Sequence, residues 1–599
     1  MRPHAITREA SLSAALLFGG AALAARDGIC PPLGAVLPAP THPSTNSDVQ
    51  DSFKSITDYL HTNVTSGWNA SGVAVAIQSI HETKPMYEFY YTPPNLNTSG
   101  TAEINSETVF RVGSISKMFS ILSVLTEGSI KLEDPVTKYI PELLQLFKEA
   151  SVVNNITTVN WDQVTVGSLA SHIGGIGSDL VNDLASFPYP FTEFGLPTIS
   201  NSSKTACAGI LGLPSCTRAE FFRDFGKRHP VYAPYTNPVY SNIGSVLLGF
   251  VVEAASESSY SDYVQKAILN PLGMTNTTVF NGPRDTSWGF IPEGDIYFDH
   301  SLGYEDIAGG FYSNTVDLLS FSTGILTSKL LEPVLTRQWM KPQTSTSSSG
   351  TQFGGFWEIY RTSSITHDQR LLEIYTKSGN LGSYNSVMVL IPDYDVVFTI
   401  LTAGAESSED QVDYMHSAIV RALVPALESA GKEQASSAFA GTYTDKATNS
   451  SITIVTDDGP GFSVTNWTVR NTDIIASFPT FASESTTAVK ETLRIRLYPT
   501  NLAAGSAECS TTSGYSASSG CSSTAWRAVF QEGSTEQLAQ GDALRYWPGG
   551  SCITDLEIDR VVYGFKALDE FVFHLGNGGK AQSLDLRAFE VTLSKAATY

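Results

Sequence analysis

Apolar residues follow two different patterns along this chain, and the pattern changes near residue 431. Before that point, continuous apolar segments alternate with segments of helical spacing. Gly72 to Ser79 and Met86 to Tyr91 read as neighbouring strands. Ser386 to Ile391 and Val396 to Leu401 read as a second pair, joined by a Pro-Asp turn. This part of the chain is therefore predicted to mix strands with helices.

Helical spacing of apolar residues predicts the main helices. One helix starts at Ser116, and another follows Asn242. A long helix runs from Asp410 to Leu427, and Gly431 is expected to end it. Between the first two helices, residues 176 to 232 are rich in loops and resemble an insertion that covers a site.

Beyond residue 431 the apolar runs are short and alternating, with SITIVT, LRIRLY, RAVF and FVFHL as examples. Gly, Asn and Ser separate these runs, which is typical of an all-β domain. We expect a barrel or sandwich of about eight strands there. The predicted fold class is α/β (α+β) for residues 50–430, followed by a C-terminal β domain at residues 431–599. A chain of 599 residues exceeds what one hydrophobic core usually supports, which favours this division.

The N-terminus has the features of a secretion signal. Basic residues precede an apolar run from Leu12 to Leu23, and Ala22-Leu23-Ala24 is a small-x-small cleavage site. We therefore predict a signal peptide at residues 1–24, a Cys- and Pro-rich leader at residues 25–49, and a secreted protein. A buried N-terminal helix is the alternative. Because the run is too short to span a bilayer comfortably, no stable membrane anchor is expected.

The net charge of the chain and the spacing of its possible metal ligands limit the molecules and ions that it is expected to bind. The formal net charge of −22 would repel nucleic acid and anionic membrane surfaces. The histidines and cysteines show neither a CxxC pair nor a helical ligand pair, so the sequence predicts no metal and no cofactor.

Cysteines and glycosylation motifs fit an oxidising compartment. Short spacings favour the pairs Cys207–Cys216 and Cys509–Cys521, which leaves Cys30 for Cys552. Eight N-x-S/T motifs are predicted glycosylation sites in a secreted chain. They begin at Asn63, Asn69, Asn97, Asn155, Asn201, Asn276, Asn449 and Asn466.

Three short motifs occur in one order and carry the candidate chemistry. They are SISK from Ser114 to Lys117, YSN from Tyr240 to Asn242, and KSG from Lys377 to Gly379. A serine hydroxyl is a weak nucleophile until a neighbouring group takes its proton. Lys117 lies one helical turn after Ser114 on the same face, and it can act as that base if burial or a second cation lowers its pKa.

The second and third motifs add groups that a serine enzyme without a histidine base needs. The Tyr240 phenol can relay a proton to a leaving group, and Asn242 can orient the lysine base or a substrate amide. Lys377 places a cation near a substrate carboxylate or beside the phenol. Ser378 adds a hydroxyl, and Gly379 lets a substrate lie against the strand edge.

Two of the motifs also match elsewhere in the chain. Ser429 to Lys432 fits S-x-x-K but reads as a helix end, and Tyr235 and Tyr312 also begin Y-x-N motifs. Tyr240 is preferred because a Pro-rich turn precedes it and an apolar helix follows it. After Tyr312, by contrast, Ser313 reads as the cap of the next helix.

The ordered motifs resemble those of the penicillin-recognising serine enzymes, which include β-lactamases, DD-peptidases and related esterases. Further segments that fit are FRVGSISKMF, LEDPVTKYIPEL, ILNPLGMTNT and AGGFYSNTVDLLSF. LASHIGG, which contains His172, resembles a segment usually written L-L-S-H-T-S-G. Because no E-x-x-L-N motif is present, the chain is most similar to the class C β-lactamase and esterase branch.

This resemblance implies a β-lactamase/transpeptidase-like fold, with an antiparallel sheet flanked by helices and a helical insertion. The roles it implies are nucleophile for Ser114, proton transfer for Lys117 and Tyr240, substrate binding for Asn242 and Lys377, and oxyanion binding for the backbone N–H groups of Ser114 and Asn380. The C-terminal part resembles the small lipocalin-like β domains of some relatives, with FAGTY at Phe439 to Tyr443 as a first strand. Secreted fungal relatives share this layout.

The expected function is that of a monomeric, secreted serine hydrolase that cleaves a small amide, ester or β-lactam. An acyltransferase or tailoring enzyme of a small-molecule pathway is one alternative, because pocket shape and water access decide which acceptor is used. A catalytically inactive binding homologue is the other alternative.

Overall fold

The computed structural model describes residues 30–149, 154–180, 183–208, 213–279, 286–483, 493–505, 521–532, 535–546, 552, 554–576 and 578–597. The predicted signal peptide at residues 1–24 lies outside them. Within these ranges, no helix is both long enough and apolar enough to cross a membrane.

One large antiparallel sheet organises the first part of the chain. The strands of this part are β1 (Gly72–Ser79), β2 (Tyr87–Tyr91), β3 (Phe110–Arg111), β4 (Tyr312–Ser313), β5 (Thr344–Ser345), β6 (Thr351–Gly354), β7 (Trp357–Thr362), β8 (Leu372–Leu381), β9 (Tyr384–Ile391) and β10 (Val396–Ala403). Eight of them form the sheet, in the order β2-β1-β10-β9-β8-β7-β6-β5. The short strands β3 and β4 pair with each other beside it.

Strand β1 shows why the sheet strands read as continuous apolar runs. Val73, Val75 and Ile77 face one hydrophobic core, whereas Ala74 and Ala76 face another. None of these five side chains is more than 1% exposed. Because successive side chains of a strand point to opposite faces, a strand that is covered on both faces needs apolar residues at every position.

Helices cover both faces of the sheet. They are α1 (Ser47–Asn63), α2 (Ser116–Glu127), α3 (Pro141–Glu149), α4 (Val166–Ala170), α5 (Arg218–Phe225), α6 (Asn242–Ser256), α7 (Tyr260–Val264), α8 (Asn270–Leu272), α9 (Asp306–Gly309), α10 (Thr315–Leu326), α11 (Pro333–Trp339) and α12 (Glu409–Phe439). A π-helical turn, Gln265–Leu269, joins α7 to α8. Helices α1 and α12 pack on the face of Val73, and α2, α6 and α10 pack on the opposite face.

Two helix ends show where local signals succeed and fail. Helix α2 begins at Ser116 as predicted and ends before Gly128, whose φ of 81° is a conformation that glycine adopts without strain. The prediction that Ser313 caps the next helix is wrong. Asn314 caps α10 instead, because its side chain accepts a hydrogen bond from Asp317 N at 2.9 Å.

Helix α12 is longer than predicted. The sequence predicts that Gly431 ends it, but the helix continues without a break to Phe439. Gly431 is buried against the leader, and a Cβ added at this position would lie 3.4 Å from the carbonyl oxygen of Pro38. This packing compensates for the low helix propensity of glycine. The predicted domain boundary at residue 431 therefore lies inside a continuous helix.

The C-terminal part forms a β-barrel with short helices attached. Its strands are β11 (Gly441–Asp445), β12 (Ser450–Val455), β13 (Phe462–Val469), β14 (Thr472–Asp473), β15 (Leu493–Gly505), β16 (Cys521–Glu532), β17 (Val562–Tyr563), β18 (Lys566–Ala567), β19 (Glu570–Leu575), β20 (Ala581–Leu586) and β21 (Val591–Lys595), and its helices are α13 (Ile474–Ser483), α14 (Thr535–Ala543) and α15 (Thr554–Glu557). The sheet order is β12-β11-β21-β20-β19-β16-β15-β13-β14, and β12 also pairs with β13, which closes the ring.

Two disulfides lie within the described part of the chain. Cys207 pairs with Cys216 in the insertion, and Cys30 pairs with Cys552, which ties the leader to the barrel. The predicted third pair involves Cys509, which lies outside the described residues. The leader also contacts the first part of the chain, since Ser44 Oγ donates to Glu82 Oε1 at 2.7 Å.

Candidate active site

Ser114 lies in a 3-10 turn, Gly113–Ile115, at the N-terminal end of α2. The turn is fixed by Ser116, whose hydroxyl donates to Gly113 O at 2.6 Å and accepts from Phe311 N at 3.1 Å. Ile115 and the α2 residues that follow are buried in the helical core. The serine hydroxyl is thus held on a rigid element beside β8.

Lys117 is fully buried beneath this serine. Its Nζ donates to Ser114 Oγ at 2.8 Å and to the carbonyl of Ala308, the third residue of α9, at 2.8 Å. Burial lowers the pKa of the Lys117 ammonium from its usual value, and the charge of Lys377 lowers it further, although Tyr240 acts in the opposite direction. A buried lysine with a lowered pKa can accept a proton more readily than a lysine in water.

Tyr240 lies between the two lysines. The Nζ atoms of Lys117 and Lys377 are 5.0 Å and 5.2 Å from the centre of its ring. Desolvation of the phenol raises the pKa of Tyr240, but the two positive charges and a hydrogen bond with Ser114 outweigh it, so the pKa lies below its usual value. A phenol with a lowered pKa is suited to moving protons near neutral pH.

Lys377 is bound by a glutamate that lies outside the three motifs. Glu358 on β7 accepts from Lys377 Nζ at 2.5 Å through Oε1 and from Ser378 N at 2.8 Å through Oε2. Burial lowers the pKa of Lys377, yet the Glu358 carboxylate and Tyr240 more than compensate and raise it to about 12. Lys377 is therefore a fixed cation at the site.

The edge of β8 passes directly over the serine turn. Gly113 has a φ of 50°, and a Cβ at this position would come within 2.5 Å of Asn380 N. A Cβ at Gly379 would come within 3.0 Å of Ser114 N. Only glycine permits this approach at either position, and the contact involves the backbone nitrogens of both Ser114 and Asn380.

Asn242 begins α6, two residues after Tyr240. Its Nδ2 donates to Asp179 Oδ2 at 2.9 Å. Glu305 lies beside Asp179 and is also buried. Burial and the neighbouring Asp179 carboxylate raise the pKa of Glu305 well above its usual value.

The structure brings the three motifs together at one place. Ser114, Lys117, Tyr240 and Lys377 surround one another, and Ser378, Gly379 and Asn380 line the adjoining strand edge. Asn242 lies at the margin and contacts Asp179.

The competing matches lie elsewhere. Tyr235 is exposed and bonds to Thr165 at 2.5 Å, and the Tyr312 hydroxyl accepts from Arg111 at 3.0 Å. The second S-x-x-K match is not a helix end, because Ser429 lies within α12 and donates to Asp48 at 2.6 Å.

Sequence reasoning missed the acidic groups of the site. Each of these groups interacts with a residue that is far away in the chain, and this holds for Glu358, Asp179 and Glu305. Glu358 could be found only from the register, because β7 and β8 pair Glu358 with Thr376, the residue before Lys377.

The predicted glycosylation sites differ in exposure. Six of the asparagines are exposed, namely Asn63, Asn69, Asn155, Asn201, Asn449 and Asn466. Asn97 and Asn276 are partly buried, and the Asn276 amide donates to Glu107 at 2.5 Å. Glycosylation stays a prediction, and it is better founded for the six exposed asparagines.

Relatives of this chain are found among fungal proteins. A "Beta-lactamase-like protein" of Arthroderma benhamiae is 29% identical over 502 residues, which cover 79% of this chain and 81% of that protein. A "Probable hydrolase clz13" of Cochliobolus lunatus is 25% identical over 608 residues, which cover 95% and 91% of the two chains. The solved D-amino acid amidase from Ochrobactrum anthropi SV3 has a TM-score of 0.45 with this chain at 18% identity, over 64% of this chain and 99% of that one.

Two family models match consecutive parts of the chain. A model described as "Beta-lactamase-like-like, C-terminal domain" matches residues 431–597. A model described as "Beta-lactamase" matches residues 61–422, which is more than half of the chain, and it confirms the fold class and the resemblance inferred from the motifs. The chain therefore belongs to the beta-lactamase family of serine hydrolases.

Proposed function

We propose that this protein is a secreted serine hydrolase that cleaves a small amide, ester or β-lactam through an acyl-enzyme on Ser114. The observation that carries the proposal is the 2.8 Å contact between Ser114 Oγ and the buried Lys117 Nζ. The phenol of Tyr240 lies next to both groups, between two cations that favour its ionised form. The two disulfides and the predicted signal peptide support secretion.

In the proposed acylation step, the O–H bond of Ser114 breaks and the proton passes to the ionised Tyr240 oxygen, either directly or by way of Lys117. The oxygen forms a bond to the substrate carbonyl carbon, and negative charge develops on the carbonyl oxygen. The N–H groups of Ser114 and Asn380 would stabilise that charge. The bond to the leaving group then breaks, and Tyr240 returns the proton to the leaving oxygen or nitrogen.

In the proposed deacylation step, a water molecule attacks the ester carbon of the acyl-enzyme. Tyr240, held by the positive charges of Lys117 and Lys377, takes a proton from the water. The bond between Ser114 Oγ and the acyl carbon breaks, the oxygen regains a proton, and a carboxylic acid is released. The steps need no metal and no cofactor.

The test is covalent labelling of the full-length protein with a fluorophosphonate probe. The serine oxygen attacks phosphorus, fluoride leaves, and the mass of the protein increases by the phosphonyl group. Peptide mapping should place the adduct on Ser114, and the Ser114→Ala variant should not be labelled. Ser429→Ala is the matched control, because Ser429 belongs to the second S-x-x-K match and lies outside the site. An adduct on another serine of the folded protein would contradict the proposal.

Substrate class is then measured with p-nitrophenyl esters, nitrocefin and D-amino-acid amides. Hydrolysis that is lost in Ser114→Ala supports the hydrolase. Faster release of the acyl group to an added alcohol or amine than to water would instead identify an acyltransferase. A folded wild-type protein that no probe can label would be a binding homologue.

A further inference from the structure

His172 contacts three consecutive residues around Tyr240. Its carbonyl oxygen accepts from Val239 N at 2.7 Å, and its Nδ1 accepts from Ser241 N at 3.1 Å. Between these two hydrogen bonds, its imidazole stacks on the Tyr240 ring with centroids 4.5 Å apart and planes at 30°. One residue thus fixes the backbone before and after the tyrosine as well as one face of its ring.

The backbone of His172 is itself in an uncommon conformation. Its φ is 60°, which is unfavourable for a residue with a side chain and persists only where the surroundings enforce it. The turn between β6 and β7 provides this support. Phe356 N donates to Ala170 O at 2.7 Å, and the Phe356 ring lies 5.1 Å from the imidazole. The strain places the imidazole against Tyr240 rather than toward solvent.

The imidazole is neutral in this position. Its side chain is only 3% exposed, and burial together with the charges of Lys117 and Lys377 holds the pKa of His172 well below its usual value. Since Ser241 N–H donates to Nδ1, the ring proton is on Nε2. A neutral ring can lie beside Tyr240 and two lysines without adding a third positive charge.

We infer that His172 is a positioning residue, which holds the Tyr240 phenol between Lys117 and Lys377 through two backbone hydrogen bonds and one ring contact. This inference rests on the proposed function of Ser114. His172 acts only through Tyr240 and transfers no proton itself. Its imidazole and its backbone make separate contributions, which different substitutions can remove.

Two variants separate those contributions. His172→Asn retains a side-chain acceptor and tolerates a positive φ, but it removes the ring contact with Tyr240. His172→Phe retains an aromatic ring but removes the acceptor for Ser241 N–H. The rate constant for fluorophosphonate labelling of Ser114 should fall about tenfold or more in both, because small displacements of catalytic groups are costly.

The pH dependence of labelling distinguishes positioning from a merely structural role. The charges that act on the phenol are Lys117 on α2, Lys377 on β8 and Glu358 on β7. If the Tyr240 phenol moves away from the lysines, their charges no longer lower its pKa, and the pKa rises. The acid limb, which is the part of the pH profile where the labelling rate increases with pH, then moves to higher pH. A structural role would lower the amount of folded protein without moving this limb.

A double-mutant cycle completes the test. In the Tyr240→Phe background, His172→Asn should cause no further loss of labelling rate, since the group that His172 positions is already absent. His416→Asn is the control, because His416 is another buried histidine with a lowered pKa but lies in α12 on the opposite face of the sheet.

The outcomes separate the two proposals. A wild-type protein without an adduct on Ser114 would refute the proposed function. A labelled wild type, together with folded His172 variants of unchanged rate and unchanged acid limb, would overturn the positioning role alone. Additive losses in the cycle would also contradict it.

Discussion

Phe439, the last residue of α12, packs against Trp526 of the barrel with ring centroids 5.2 Å apart. The Phe439 ring also contacts Phe462 and Phe573. The carbonyl oxygen of Phe439 accepts from the Tyr443 hydroxyl at 2.5 Å. The other end of this helix packs on the sheet that carries the candidate active site. One continuous helix therefore contributes to the cores of both parts of the chain.

Phe439→Ala should destabilise the barrel without impairing the site. Removal of a buried phenylalanine side chain typically costs about 3–5 kcal/mol of the free energy of unfolding. We expect an earlier urea transition, followed by the fluorescence of Trp526 and Trp467, and an unchanged rate of Ser114 labelling in the folded protein. Phe565→Ala is the control, because the Phe565 side chain is fully exposed. A large loss of labelling by folded Phe439→Ala would show that the barrel contributes directly to the site.

Glu358→Gln should move the acid limb of labelling in the direction opposite to that of the His172 variants. The Glu358 carboxylate raises the pKa of both Lys377 and Tyr240, so its neutralisation lowers the pKa of the phenol. The limb then shifts to lower pH. Since a buried ammonium loses its partner, the free energy of unfolding should fall by about 3 kcal/mol. The control is Glu373→Gln, which affects a carboxylate of β8 that pairs with Arg361. A limb that moves to higher pH would contradict this assignment.

Lys117→Met should reduce the labelling rate by about 10² to 10⁴, the range expected when a general base is lost. The variant should still fold, because Met is apolar and similar in length and the site of Lys117 is fully buried. Thermal unfolding checks the fold, and intact-mass kinetics check the rate. The control is Lys138→Met, which removes an exposed ion pair with Asp134 and should be labelled at the wild-type rate. Labelling at the wild-type rate by Lys117→Met would exclude this lysine as the base.

Contacts between residues that are close together in the chain could be predicted from the sequence. Ser114 and Lys117 are three residues apart, so helical geometry alone places them side by side. Glu358 and Lys377 are not close in the chain, and only the pairing of β7 with β8 brings them together. The extension of α12 past Gly431 likewise depends on tertiary packing, which overrides local helix propensity.

Cysteine pairing can be checked by non-reducing peptide mapping. We expect linked peptides for Cys30–Cys552 and Cys207–Cys216, and Cys509–Cys521 as the remaining pair. Replacement of Cys30 and Cys552 by serine should lower the free energy of unfolding by about 5 kcal/mol, the upper end of the usual range, because this disulfide closes a loop of separation 522. Replacement of Cys207 and Cys216 by serine should lower the free energy of unfolding by less, because the disulfide that it removes closes a loop of separation 9. A linked peptide that joins Cys30 to Cys207 or Cys216 would contradict the structure.

Asp393 should make stability depend on pH. Its side chain lies beside the leader and α12, is 8% exposed, and its Oδ2 accepts no hydrogen bond within the described part of the chain. Burial raises the pKa of Asp393 from 3.8 to about 6, although Arg370 opposes the shift. Because the folded state binds the proton more tightly than the unfolded state, stability falls as pH rises from about 4 to about 6 and then levels off.

Asp393→Asn removes the destabilisation that the buried, charged carboxylate causes at higher pH. We expect little change in the free energy of unfolding near pH 4, and a gain of up to about 3 kcal/mol above pH 6, where the wild-type carboxylate is charged and buried. Urea titrations on both sides of the transition measure the difference. Asp51→Asn is the control, because the Asp51 side chain is 71% exposed and its charge is solvated in both states. A variant that is destabilised equally at both pH values would show that Asp393 is held in its charged form by Arg370.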